Sequence, residues 1–236
     1  MDHSEHADAL ELVGASIGRT AAIVEEARAR GEYYARAVGP REELREEYNA
    51  IMAQVREAQE RHGRLTGHFR RMLVRAEAML ELKWEDTIHN VVTTVGKNLA
   101  LDTYLAGSGY TVTGPYMGLI SSVSYGAGPV VGDTMASHAG WHEAGAGTDY
   151  PLYTAPRKTC VWNSASGGSK SLSAALSFSI ITTGGTVKGC FIVYGTGAVS
   201  TIQDTNGTLY SAGTFTGGDK ILGVGDTLQV SYTASL

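Results

Sequence analysis

Apolar residues in the first third of the chain recur at alternating steps of three and four. This spacing has a 3.5-residue period and predicts an α-helix with one apolar seam over residues 7–38. Gly39 and Pro40 interrupt the pattern, and a second helix with the same period is predicted over residues 40–83. The predicted helix-packing seam of the second helix comprises Leu44, Tyr48, Ile51, Val55, Leu65, Phe69 and Met72.

Two arrangements could bury these apolar seams. The short connection at Gly39-Pro40 favours an antiparallel helical hairpin within one subunit. Association of each helix with other copies of itself would instead give an oligomeric coiled coil. Residues 1–86 are therefore predicted to form a helical extension, either a hairpin or a coiled coil.

The apolar period changes to two residues further along the chain. Residues 171–180 alternate apolar with small polar side chains, which predicts a strand with one face on a core. The predicted sandwich core comprises Leu172, Leu176, Phe178 and Ile180. Gly184 and Gly185 precede another strand-like run, residues 186–194, and predict a β-hairpin.

Other strand-like runs, separated by glycine-containing turns, occur at residues 116–123, 141–144, 159–163, 208–212 and 227–233. Seven or eight short strands of this kind predict an all-β, jelly-roll-like sandwich in residues 110–236. Residues 87–109 are predicted as a linker with a short helix over residues 97–105. The predicted fold class is thus α+β, with helices and strands segregated into separate domains.

Composition agrees with a boundary near residue 86. Most charged residues lie before Thr87 and most of the 30 glycines lie after it, while the formal net charge is only -5. The sequence has no apolar run long enough to span a bilayer, and its N-terminus is acidic, unlike a signal peptide. We therefore expect synthesis in the cytoplasm, no membrane contact, and buried free thiols at Cys160 and Cys190.

The most enzyme-like cluster is His138, His142 and Glu143, which lie within six residues. A zinc site of the His-Glu-x-x-His type needs a helix and a different residue order, whereas Gly140 indicates a loop here. No catalytic, metal or cofactor-binding residue is predicted, and we do not expect an enzyme. Arginines between residues 61 and 75 have glutamates at helical spacing beside them, which favours a solvated surface over a nucleic-acid interface.

Five segments of the rear part resemble a family of small structural proteins of tailed bacteriophages. They are residues 96–108 (GKNLALDTYLAGS), 116–120 (YMGLI), 187–191 (VKGCF), 208–213 (TLYSAG) and 225–232 (GDTLQVSY). The resemblance covers residues 91–236 and does not reach the helical front. It implies a capsid cement, or decoration, protein with a jelly-roll-like sandwich that forms a homotrimer on the phage head.

This resemblance predicts a virion protein on the outer capsid surface that clamps neighbouring major capsid subunits without catalysis. Its expected partners are further copies of the chain and the major capsid protein, with no direct nucleic-acid contact. The alternative is a head or tail fibre protein, in which a helical stalk carries a β-sandwich that binds the host. In that case Tyr125, Tyr150 and Tyr153 would be exposed in loops and would contact glycans.

Overall fold

The computed structural model describes residues 30–62, 67–105 and 113–235. The described part is mostly β, with 41% of its residues in strands or isolated β-bridges and 21% in α-helices. The strands are β1 (Arg30–Pro40), β2 (Leu80–Val92), β3 (Tyr116–Ser121), β4 (Lys158–Thr159), β5 (Ser169–Ser171), β6 (Leu176–Ser179), β7 (Gly185–Tyr194), β8 (Thr208–Phe215), β9 (Lys220–Leu222) and β10 (Thr227–Ser235). The helices in this part of the chain are α1 (Arg45–His62), α2 (Gly67–Glu77) and α3 (Thr94–Leu105).

All of these strands belong to one antiparallel sheet in the order β4-β3-β7-β8-β2-β1-β10-β5. In addition, β6 pairs with β10 and β9 pairs with β7. The sheet curls until its two ends meet. The Ser173 N–H donates to the Val161 carbonyl at 2.8 Å, and the Thr154 N–H donates to the Ser179 carbonyl at 2.9 Å. The predicted two-sheet, jelly-roll-like sandwich is therefore wrong, because a single curled sheet encloses the main core.

Residues 7–29 of the predicted helix over residues 7–38 lie outside the described part. For the remaining residues the prediction is wrong, because they form strand β1. Strand β1 places Tyr33, Ala35 and Ala37 in the core and exposes Tyr34 and Arg36. This alternation of two coexists in the sequence with the 3.5-residue period. Pairing with both β2 and β10 satisfies the backbone of β1, so tertiary context overrides helix propensity.

The second predicted helix, residues 40–83, is wrong at both of its ends. Pro40 belongs to β1 and residues 80–83 belong to β2, while helices α1 and α2 lie between these strands. Residues 63–66, between α1 and α2, lie outside the described part. Helices α1 and α2 are inserted between β1 and β2, which pair with each other. The N–H of Arg41, at the start of this insertion, donates to the carbonyl of Met79, at its end, at 2.9 Å. The segregated α+β fold class is therefore wrong, because β1 and β2 from the front of the chain lie in the middle of the sheet.

The helix-packing seam lies in a small apolar cluster between α1 and α2. Ile51 and Val55 are buried there together with Ala76 and Met79. The other described seam residues are partly buried against this cluster, namely Leu44, Tyr48, Phe69 and Met72. Leu65 lies outside the described residues. Arg45 ties α1 to the sheet, since its guanidinium donates to the Val224 carbonyl at 2.8 Å and to Asp226 at 3.2 Å.

The strand predicted over residues 171–180 is split. Strands β5 and β6 both pair with β10, and residues between them leave the sheet. The hairpin predicted at Gly184-Gly185 is wrong as well, because β7 pairs with β3, β8 and β9 rather than with β6. The four predicted sandwich-core residues belong to the main core, where Phe178 is fully buried and Leu176 is partly buried; the other two are Leu172 and Ile180.

Two apolar cores lie on opposite faces of the sheet. The main core is inside the curl and includes Cys160 and Cys190, both free thiols. A second core lies on the outer face of β7 and β8, where the fully buried Trp141 packs against Phe191. Trp141 belongs to the long connection from β3 to β4, so this connection acts as a cover over that face.

Candidate functional site

The three residues of the enzyme-like cluster lie around one small cavity of about 150 Å³. His138, His142 and Glu143 line it together with Asp149 and Gln203. Only His142 of the three is exposed, and its Nδ1 lies 3.4 Å from an oxygen of Asp149. The three residues are therefore close in space as well as in sequence, but each of them makes its own set of contacts.

Glu143 forms a buried ion pair with Arg157, which sequence reasoning did not single out. The Arg157 Nε and Nη2 atoms donate to the two carboxylate oxygens at 2.8 Å and 2.7 Å, and Arg157 is 1% exposed. The guanidinium also donates to the carbonyls of Val199 and Asp204. Burial raises the pKa of Glu143, and the Arg157 contact and the Gln203 N–H oppose that rise.

This ion pair joins two loops. Glu143 and Arg157 both lie in the β3–β4 connection, Arg157 directly before β4, and the carbonyls of Val199 and Asp204 lie in the β7–β8 loop. Gln203 adopts a φ of 63°, and its N–H donates to Glu143 at 2.6 Å. A carboxylate held by a bidentate guanidinium and a backbone N–H has its ionised form satisfied. The arrangement is that of a structural clamp.

His138 and Trp141 form the opposite wall of the same cavity. Their rings stack with centroids 3.9 Å apart, and the His138 Nδ1 is 2.9 Å from the Trp141 carbonyl oxygen. The Trp141 indole N–H donates to Asp133 at 3.0 Å. These contacts fix the cover over the second core. Within residues 30–62, 67–105 and 113–235, no three His, Cys, Asp or Glu side chains are grouped so that they could hold a metal ion.

A second cavity, of about 270 Å³, opens at the end of the curled sheet where β7 ends and β8 begins. Its walls are predominantly aromatic and aliphatic, and one ammonium group lies at its rim. The residues that characterise it are Trp162, Lys170, Ile192, Tyr194, Tyr210 and Ala234. No sequence motif marks this cavity, because its lining residues, which also include Pro115, come from six separate segments.

Helix α3 and a neighbouring loop present exposed aliphatic side chains. We name Val95, Val130 and Val131 the α3 surface; their exposed fractions range from 36% to 56%. Leu101 is also exposed, but it lies six residues after Val95 and therefore on another side of the helix. The Thr94 N–H donates to the Val131 carbonyl at 2.9 Å, which joins the loop to the start of the helix. Apolar side chains exposed on adjacent elements are typical of protein-binding surfaces.

Gly96 fixes how α3 lies on the sheet. A Cβ at this position would lie 2.6 Å from the Tyr210 carbonyl oxygen, so any side chain would push the helix away from β8. The Thr93 hydroxyl accepts the Gly96 N–H at 3.0 Å and donates to the Leu209 carbonyl. The α3 surface therefore rests on a close backbone contact with the sheet.

No family model, curated protein or solved structure matches this chain. Within the described ranges, no helix is both long and apolar enough to cross a membrane.

The loop tyrosines required by the fibre alternative are less accessible than predicted. Tyr153 is 2% exposed, and its ring packs edge-on against Phe178 in the main core. Tyr125 is partly buried against the second core, with the Lys188 ammonium 4.7 Å from its ring centroid. The expectation of an exposed Tyr153 is wrong, since this side chain closes the core where the connecting loop crosses it.

Proposed function

We propose that this chain is a structural virion protein that binds the outer surface of a phage capsid and clamps neighbouring major capsid subunits, without catalysis. The observation that carries the proposal is the α3 surface. The longest phage-like segment, residues 96–108, overlaps α3, and Lys97, Asn98, Leu101 and Asp102 in it are exposed. Because the aliphatic side chains of the α3 surface stay exposed in the described part of the chain, a protein partner is the function that fits this surface best.

The clamp mechanism follows from symmetry. A capsid presents many identical sites, and a homotrimer with one α3 surface in each copy would contact several subunits at once. Joined contacts increase the apparent affinity without requiring any single strong one. Helix α3 is held against β8 at Gly96, so the surface is rigid before binding and little ordering entropy is lost on association.

Copy number tests the proposal directly. A cement protein should be present in purified virions in a ratio to the major capsid protein that is fixed and close to the shell symmetry. Quantitative mass spectrometry of washed particles measures this ratio. Only a few copies in each particle, or none, would contradict the proposal.

Capsid binding tests the surface. We expect Val95→Asp combined with Val131→Asp to abolish co-sedimentation with capsids, because charged groups would have to be desolvated in the contact. The matched control is Val161→Asp, since Val161 is 61% exposed on another part of the molecule. Unchanged co-sedimentation of the double variant, with an unaltered circular dichroism spectrum, would exclude the α3 surface as the contact.

A further inference from the structure

The cavity of about 270 Å³ at the end of the curled sheet has the size of a small-ligand site. An engineered apolar cavity of about 150 Å³ in another protein holds benzene. The cavity here therefore has room for a six-membered ring and a short substituent. The buried side chain of Ile192, which is 1% exposed, lines its inner side.

The aromatic walls are fixed by their own contacts. Tyr194 and Tyr210 meet edge to face at a centroid distance of 5.5 Å, and Trp162 packs edge-on against Tyr232 at 5.9 Å. Tyr210 is hydrogen-bonded to Tyr232, whose hydroxyl accepts the Asn90 amide at 3.1 Å. Rings held in this way keep the cavity open, and their π faces favour a planar apolar ligand.

The charge at the rim selects the polar part of the ligand. Lys170 on β5 lies directly across from Ala234 on β10, and both line the cavity. No acidic side chain is among the described lining residues, and none lies within ion-pair distance of the Lys170 ammonium in the described ranges. The ammonium is exposed to solvent, so it attracts an anion only modestly, and it contributes more to the choice of the ligand's charge than to affinity.

We propose that this cavity binds a small aromatic carboxylate, with its ring against Trp162 and Tyr210 and its carboxylate on Lys170. The site is independent of the α3 surface and of the capsid-binding proposal. The apolar walls of the cavity suit the aromatic ring of such a ligand, and the single cation suits its carboxylate.

Phenylacetate is the probe, with phenethylamine as a ring-matched cation. Titration followed by the indole N–H resonance of Trp162, assigned with Trp162→Phe, should give a dissociation constant of about 1 mM for phenylacetate, as expected for a ligand of this size. Phenethylamine should bind at least about tenfold more weakly because its charge has the wrong sign. Equal binding of the two probes, or no saturable shift with phenylacetate up to about 10 mM, would overturn the proposal.

Two variants locate the ligand. Lys170→Glu changes an exposed side chain and should reverse the preference, so that phenethylamine binds better than phenylacetate. Ala234→Leu should remove binding of both probes by filling the cavity. The control Arg70→Glu makes the same change of charge at an exposed position on α2 and should leave the phenylacetate constant unchanged. Circular dichroism and urea midpoints verify that each variant is folded. Unchanged affinity in folded Lys170→Glu would show that Lys170 does not hold the carboxylate and would overturn the proposal.

Discussion

Asp86 on β2 links the centre of the sheet to the turn between β8 and β9, and its substitution gives a sharp test of the fold. One carboxylate oxygen accepts the Thr87 N–H at 2.7 Å and the Thr216 hydroxyl at 2.8 Å. The other oxygen accepts the Gly217 N–H at 2.9 Å and the Lys220 ammonium at 2.7 Å. In Asp86→Asn the amide can accept at only one of these positions, so its NH2 group would face two donors.

The size of the effect follows from the pKa of Asp86. Burial raises this pKa, but the hydrogen bonds from Lys220, Thr216, Thr87 and Gly217 outweigh it and lower the pKa from 3.8 to about 2. This shift corresponds to at most about 2.4 kcal/mol, and screening by water at the sheet surface reduces it to about 1 to 2 kcal/mol. Because the pKa is lower in the folded state, this stabilisation is complete above about pH 4 to 5 and is lost as the pH falls from 3.8 towards 2.

Urea unfolding monitored by circular dichroism should therefore show Asp86→Asn to be about 1 to 2 kcal/mol less stable than the unmodified chain at pH 7. The difference should shrink as the pH is lowered from 5 towards 2.5. Asp102→Asn, at an exposed position on α3, should change the free energy of unfolding by no more than about 0.5 kcal/mol. A difference for Asp86→Asn that stays below about 0.5 kcal/mol at pH 7, or that does not depend on pH, would refute the assignment.

Three further predictions concern the Glu143–Arg157 ion pair, the packing of α1 against α2, and the thiols of Cys160 and Cys190. Arg157→Met should lower the free energy of unfolding by about 3 to 5 kcal/mol, because it leaves Glu143 buried without its partner. The control Lys158→Met should lower it by less than about 1 kcal/mol. Similar urea midpoints for the two variants would contradict this prediction. Ile51→Asp should destabilise the packing of α1 against α2 by about 3 kcal/mol or more, which would appear as a loss of helical circular dichroism. Ala50→Asp, at the neighbouring exposed position, should not have this effect. Equal helix content in the two variants would contradict the packing of Ile51 between the helices. Burial raises the pKa of Cys160 to about 12 and that of Cys190 further, so a disulfide reagent at pH 8 should label neither until urea unfolds the chain; rapid labelling of the folded chain would contradict their placement.

Local patterns predicted short elements better than they predicted long ones. The strand-like runs near residues 116, 186, 208 and 227 all correspond to strands, and the short helix over residues 97–105 lies within α3. These segments are short and have glycines near their ends. The sequence does not show which of these strands pair with each other. A turn such as Gly184-Gly185 can connect two strands that pair or two strands that do not.

The front of the chain shows why a regular heptad pattern can mislead. In β1, Tyr33 and Ala37 are buried although neither lies on the 3.5-residue seam, while Tyr34, which does, is 41% exposed. The residues of β10 that pair with Tyr33 and Ala37, Tyr232 and Leu228, are about two hundred positions away. A pattern confined to residues 30–40 contains no information about them, so helix and strand could be separated only by the completed sheet.

The charged residues at the two cavities, the Glu143–Arg157 ion pair and Lys170, were hidden for the same reason. Glu143 was noticed beside His142, but its partner Arg157 lies 14 residues further along with no motif around it. Lys170 at the second cavity is a single exposed lysine in a run of serines and glycines. Spacing along the chain identifies sites on one helix or in one loop, whereas these sites are assembled from several loops and strands.

The pairing of β1 with β10 has a consequence for biosynthesis. Tyr33 lies opposite Tyr232, so the centre of the sheet cannot be completed until the ribosome has made residue 235. Until then β1 and β2 can pair with each other but have an open edge, which is the kind of edge that recruits other chains. Contacts so distant in sequence also make folding slow. Translation speed and chaperone supply, more than the final stability of the sheet, should therefore set how much of this protein reaches its native state.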